Sequence, residues 1–190
     1  MEIKKFVIGF WETNFYLLIS NNELATVDPG PGIKKVLKEI KKSKAKLKFI
    51  INTHYHLDHT FSNKILKKET GAEILIHKAE KNYIKFLGFK PDRFLKDEDE
   101  IKINSEVLKV INTPGHSKGS ICLLGKDFIL TGDTLFKGVL PATHFPGGSE
   151  KDLRTSFEKL KKVLKPEMTV YPGHDEIFKC TETFFGCLRL

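Results

Sequence analysis

Four side chains able to bind a metal fall within six residues of this chain, His54-Tyr55-His56-Leu57-Asp58-His59. The preceding Lys48-Phe49-Ile50-Ile51-Asn52-Thr53 is apolar and β-branched enough to read as a buried strand. The following stretch, 58–69, reads as a helix. A strand that enters a helix through such a loop gathers side chains at its C-terminal edge, where α/β folds build their sites. His54 and His56 alternate about Tyr55, so an extended backbone points both imidazoles the same way. Asp58 and His59 turn with the chain and face a second point, which suits two metal ions rather than one. Taken singly, each residue has a plain reading, a core histidine or a helix-capping aspartate. Together, imidazoles and a carboxylate without a metal would leave a crowded polar cluster to satisfy.

Three later segments repeat the order of strand, tight turn and metal-competent side chain. Val107–Ile111 leads into Asn112-Thr113-Pro114-Gly115-His116, Phe128–Thr131 into Gly132-Asp133, and Met168–Tyr171 into Pro172-Gly173-His174. Glycine or proline before each candidate gives a sharp bend and close backbone approach. The set then comprises His54, His56, Asp58, His59, His116, Asp133 and His174. A carboxylate such as Asp133 can bridge two ions.

The segments Thr-His-Tyr-His-Leu-Asp-His at 53–59, Thr-Pro-Gly-His-Ser at 113–117, Thr-Gly-Asp-Thr-Leu-Phe at 131–136 and Tyr-Pro-Gly-His at 171–174 occur together in this order. In this the chain resembles the metallo-β-lactamase fold superfamily. The wording around His116 and Asp133 is most similar to the hydroxyacylglutathione hydrolase (glyoxalase II) branch and its persulfide-dioxygenase relatives. The resemblance implies an α/β fold, an αββα sandwich of two mixed β-sheets with outer helices. It implies that His54, His56 and His116 hold one metal, that Asp58, His59 and His174 hold another, and that Asp133 bridges. Asp58 and Asp133 are the candidate catalytic carboxylates. Two divalent ions are expected, zinc first, with iron or manganese compatible with a nitrogen and oxygen ligand set. The implied chemistry is attack of a metal-bridging hydroxide on a small-molecule thioester or related acyl substrate. The rival within the branch is a persulfide dioxygenase with one Fe(II) on His54, His116 and Asp133. A phosphodiesterase or ribonuclease, and a metal-bearing scaffold without catalysis, are further alternatives. Two departures stand out: Ala142 and His144 occupy positions where the branch usually carries Arg and Asp. The chain also runs only to Leu190 after His174, so a helical glutathione-binding domain is not expected.

A length of 190 residues with 40% hydrophobic content fits one domain, 1–190, with a sizeable core. No apolar run approaches the ~18 residues of a membrane span, and the amino terminus reads as a strand rather than a signal peptide. A cytoplasmic location and no membrane partner are therefore expected, and oligomeric state is not legible. The net charge of +8 comes almost entirely from lysine, with arginine only at 93, 154 and 189. Because arginine is favoured for base and phosphate recognition, nucleic acid is not the expected partner, and the lysines from Lys34 to Lys48 read as a solvated helix face. Cys122 reads as a core residue, and Cys180 and Cys187 as reduced rather than paired. Periodicity predicts strands at 2–10, 14–20, 23–27, 48–53, 73–77, 101–103, 106–111, 120–124, 127–131 and 168–171, with helices at 32–42, 58–69, 78–87 and 150–164. Asp28-Pro29-Gly30 reads equally as a plain turn or as support behind the site. His77 reads as structural, and His144 as a candidate substrate-binding residue.

Overall fold

A computed structural model describes residues 1–181, and Cys187 lies outside them. Two six-stranded sheets pack face to face, and each is laid down in chain order. The first holds β1 (Glu2–Ile8), β2 (Thr13–Ser20), β3 (Glu23–Val27), β4 (Lys46–Ile51), β5 (Glu73–His77) and β6 (Arg93–Leu95). The second holds β7 (Glu100–Ile103), β8 (Glu106–Asn112), β9 (Ile121–Leu124), β10 (Phe128–Gly132), β11 (Thr169–Pro172) and β12 (Phe178–Lys179). The β1–β2–β3 pairs are antiparallel and β3 through β6 parallel. In the second sheet only β10 and β11 run parallel.

β2 shows how the layers arise. Tyr16 and Leu18 face the opposing sheet, where they meet Ile101, Leu108, Ile121 and Leu130. Phe15 and Leu17 face outward and pack with Val36 and Ile40 of α1 (Lys34–Ser43) and Leu66 of α3 (Asn63–Thr70). A strand apolar on both faces belongs to a sheet covered on both sides. The second sheet is covered by Leu153, Phe157 and Leu160 of α4 (Glu150–Lys161). Ser149 caps α4 by accepting the Asp152 amide at 3.2 Å, and Glu150 and Asp152 suit the positive end of its dipole. The result is the expected αββα sandwich. The α1 lysines are exposed, as a solvated face requires. Cys122 and Cys180 are buried free thiols. Among the described residues no helix is long and apolar enough to cross a membrane.

Three expectations are corrected. The helix read over 58–69 is two pieces, α2 (Leu57–Thr60) and α3. Asn52 donates to the His59 carbonyl at 2.9 Å, and the Ser62 amide donates to Pro29 instead of continuing the ladder. The segment 78–87 forms only two short 3-10 turns, Lys78–Glu80 and Ile84–Phe86. It buries Ile84 and the Glu80 carboxylate while leaving Phe86 exposed, so it lacks the apolar stripe that holds a helix on a sheet. The two edge strands β6 and β12 were not foreseen, being three and two residues long. His77 is buried and accepts the Ala79 amide at the start of the first turn, a structural role.

Candidate metal centre

All the candidate ligands project from C-terminal strand ends along one edge of the sandwich. The segment after β4 carries His54, His56, Asp58 and His59; His116 follows β8, Asp133 follows β10 and His174 follows β11. The Thr53 carbonyl accepts the Ile121 amide at 2.9 Å, and Gly173 donates to the Gly132 carbonyl at 2.8 Å, which tie these ends together across and within the sheets. Glycine is required where neighbouring groups leave no room for a side chain. A Cβ at Gly173 would lie 2.1 Å from Asp133 Oδ1, and one at Gly30 would lie 1.9 Å from the Asp58 carbonyl.

The seven side chains converge in overlapping groups. In the first, His56 Nδ1 lies 3.0 Å from His54 Nε2 and 2.9 Å from His116 Nε2. In the second, His59 Nε2 lies 3.3 Å from His174 Nε2 and 3.3 Å from Asp58 Oδ2, and His174 Nε2 lies 3.2 Å from Asp58 Oδ2. Tetrahedral zinc with bonds near 2.05 Å sets its ligand atoms about 3.3 Å apart, which these separations approximate. Asp133 reaches both groups: Oδ2 is 3.4 Å from His116 Nε2 and 3.6 Å from His174 Nε2, and Oδ1 is 3.5 Å from His59 Nε2.

Hydrogen bonds behind the rings decide which nitrogens face inward. The carbonyls of Ala142 and Trp11 can only accept, so His116 and His174 carry their protons on Nδ1, at 2.7 and 3.0 Å from those oxygens. Thr53 gives its hydroxyl proton to Asp28 Oδ2 at 2.7 Å and so accepts from His54 Nδ1 at 3.1 Å. His54, His116 and His174 therefore all aim bare Nε2 lone pairs at the cluster. Asp28 Oδ2 also lies 3.1 Å from His59 Nδ1, close but out of hydrogen-bond alignment. Asp28 thus sits behind the site and is not merely a turn. Converging lone pairs repel unless an electrophile joins them, and Asp133 Oδ1 is buried with no hydrogen-bond partner. The residues present fit a pair of metal ions.

Charge divides the two groups. Burial, together with the neighbouring imidazoles, pushes His54 well below the usual histidine range and His56 down to about 4. Burial lowers His116 too. Burial also opposes charge on His59, but Asp133 and Asp28 outweigh it and hold the ring well above its ordinary value. Against its own burial, Asp58 is held far below the usual carboxylate range by bonds from His174 and His59. A cation entering the second group therefore competes with a proton, as metal binding to imidazole ordinarily does.

Sequence reading missed Phe145, whose ring lies 4.9 Å from that of His56 and 5.9 Å from that of His116. Its only signal was an aromatic in a proline- and glycine-bounded loop. His144 is exposed, and its ring lies against that of Phe145, the centroids 4.2 Å apart and the planes tilted by 37°. Also missed was Glu80, buried beneath the His116 loop, where the Ser117 hydroxyl and the Gly119 amide donate to Oε1. Burial pushes its carboxyl up to about 7. A carboxyl whose folded pKa exceeds its unfolded value stabilises the fold fully below the unfolded value and loses that contribution as pH rises through the folded one. Between pH 5 and 8 the native protein should thus lose stability on the order of 3 kcal/mol at this site. Glu80→Gln, which keeps the Oε1 acceptor, should match the native protein at pH 5 and exceed it by about 2–3 kcal/mol at pH 8 in urea unfolding. An equal difference at both pH values would count against it.

An αββα sandwich with paired histidine–aspartate clusters at one edge defines the metallo-hydrolase class. The chain belongs to the metallo-β-lactamase superfamily, whose family model matches residues 8–174. It is 30% identical over 166 residues to the "Probable polyketide biosynthesis zinc-dependent hydrolase PksB" of Bacillus subtilis, covering 86% of this chain and 73% of the relative. It is 32% identical over 181 residues to the hydroxyacylglutathione hydrolase of Pelagibacter ubique, covering 92% and 71%. Among solved structures, the BLEG-1 B3 metallo-β-lactamase superposes with a TM-score of 0.85 at 24% identity, over 94% of each chain.

Proposed function

We propose that the protein is a two-metal hydrolase of thioesters or related acyl compounds. His54, His56 and His116 would hold one ion, Asp58, His59 and His174 the other, and Asp133 would lie between them. Zinc is the expected ion, with iron or manganese compatible with the same donors. When bound, two divalent ions would make hydroxide available at neutral pH, by lowering the pKa of water toward about 7, and would polarise the substrate carbonyl. The carrying observation is that both groups converge within ligand distance and that the Asp133 carboxylate reaches each of them.

The chain's own residues set the rest. Ala142, Trp11 and Thr53 hold the His116, His174 and His54 rings with Nε2 turned toward the cluster. Asp58 and Asp133 are acceptor-only while ionised, and are placed to receive the proton of an attacking water. Among the described residues no thiol is positioned to act instead: Cys180 is buried, and Cys122 is fully buried and pushed up to about 11 by that burial. The set His54, His116 and Asp133 alone would suit a mononuclear Fe(II) dioxygenase. The second group's equally close convergence favours two ions.

The test is thiol release from a small thioester before and after chelation. Activity should vanish on chelation and return with added zinc. Hydrolysis that survives complete metal removal would overturn the reading.

A further inference from the structure

The 141–148 segment lies against the first histidine group and is gripped from behind. The Tyr55 ring lies 4.5 Å from that of His56 and stacks on Tyr83 at 4.8 Å, with the planes 19° apart. The Tyr55 hydroxyl donates to the Pro146 carbonyl at 3.0 Å. Gly147 abuts Tyr83, where a Cβ would come within 2.7 Å of the hydroxyl. At the other end Ala142 accepts from His116, and the Gly148 amide closes on Phe145. So held, the segment sets the Phe145 ring against His56 and His116 while leaving it 42% exposed. Val139 and Leu140, just before it, are 60% and 61% exposed, and Leu57, between two candidate ligands, is 46% exposed. Phe145 and Leu57, large apolar side chains left to water beside candidate ligands, mark a place where an apolar group binds.

We propose that Phe145 is the specificity-determining residue of this site, that the Tyr55–Tyr83 pair positions it, and that the acyl group taken is apolar rather than hydroxylated. The inference rests on the acyl-hydrolase reading above. With the carbonyl carbon between the two groups, an acyl chain passing over His56 meets Phe145. Water adds to that carbon and the C–S bond breaks. The products are the carboxylate, which keeps the apolar chain, and the thiol, with the remaining proton going to solvent.

The experiment uses zinc-loaded protein and acetyl, lactoyl and hexanoyl thioesters of one neutral thiol. Hexanoate and lactate are titrated calorimetrically alongside. The native protein should favour hexanoyl over lactoyl by at least about tenfold in kcat/KM, chiefly through KM, because each added methylene in an apolar pocket discriminates on that scale. Hexanoate should likewise bind more tightly than lactate. Phe145→Ala should bring both preferences within about threefold at unchanged metal content, Phe145→Leu should restore most of them, and Tyr55→Phe should fall between. A native preference for lactoyl, or preferences unmoved by Phe145→Ala, would overturn the proposal. So would a concentration-dependent dimer that Phe145→Ala dissolves without any change in acid binding, since the surface would then belong to a second copy of the chain. Phe145-dependent hexanoate binding without turnover of any thioester would uphold the apolar pocket and remove the hydrolase reading instead.

Discussion

Asp133→Ala is expected to lower thioester turnover by more than about a hundredfold, beyond the 10–100-fold that loss of a residue behind a metal ligand costs. Its carboxylate is the one described group within 3.6 Å of His116, His59 and His174 together. On the proposed two-ion reading, removing it would strip a donor from both positions at once and leave the first with imidazoles alone. Metal content should fall at both positions. Asp58→Ala removes a donor from the second group only, because Asp58 touches His59 and His174. That variant should keep about one ion per chain and more residual activity. Elemental analysis and steady-state kinetics on the pair check the ordering. Equal metal content and equal turnover in the two variants would show that Asp133 does not bridge.

The second large effect is placed behind the ligands, at Asp28. Its Oδ1 accepts the Thr53 amide at 2.7 Å, and its Oδ2 accepts the Thr53 hydroxyl at 2.7 Å beside His59 Nδ1 at 3.1 Å. Asp28→Asn keeps one acceptor but turns a donor toward Thr53 and His59. The favoured His59 tautomer then carries its proton on Nε2, where the ion should sit. Affinity at the second position should drop about 10–100-fold while the first is nearly unchanged. The backbone is not the cause, since φ is +56° at this residue and asparagine tolerates the left-handed region well. Competition with a chelator of known affinity reads the two positions separately. Unchanged zinc affinity would make Asp28 a brace for the Thr53 turn and nothing more.

The layered fold was legible because its signals are local. Strands such as β2 and β4 are apolar on both faces, and α1 and α4 carry single buried stripes between charged ones. The ligand set was legible for the same reason, each member following a strand through a short turn. What escaped depends on distant partners. The break between α2 and α3 is made where Ser62 and Asn63 meet Pro29, Gly30 and Asn52, partners distant in sequence. The edge strand β6 exists because β5 offers it an open edge and Asp92 accepts the Ile74 amide. Phe145 and Glu80 lie in segments whose place is set by Tyr55, Ser117 and Gly119, so periodicity carries no trace of them. The two readings of Asp28 were equal in sequence because a turn residue and a residue supporting a histidine are written alike; only the 3.1 Å approach to His59 separates them.

The proposed site would hold two ions for hydrolysis, and the metal content of protein purified without added metal decides this. The expected result is about two divalent ions per chain, predominantly zinc, in protein that releases thiol from a simple thioester. One iron per chain, with oxygen uptake on a persulfide and no thioester hydrolysis, would contradict it and assign His54, His116 and Asp133 to a mononuclear oxygenase.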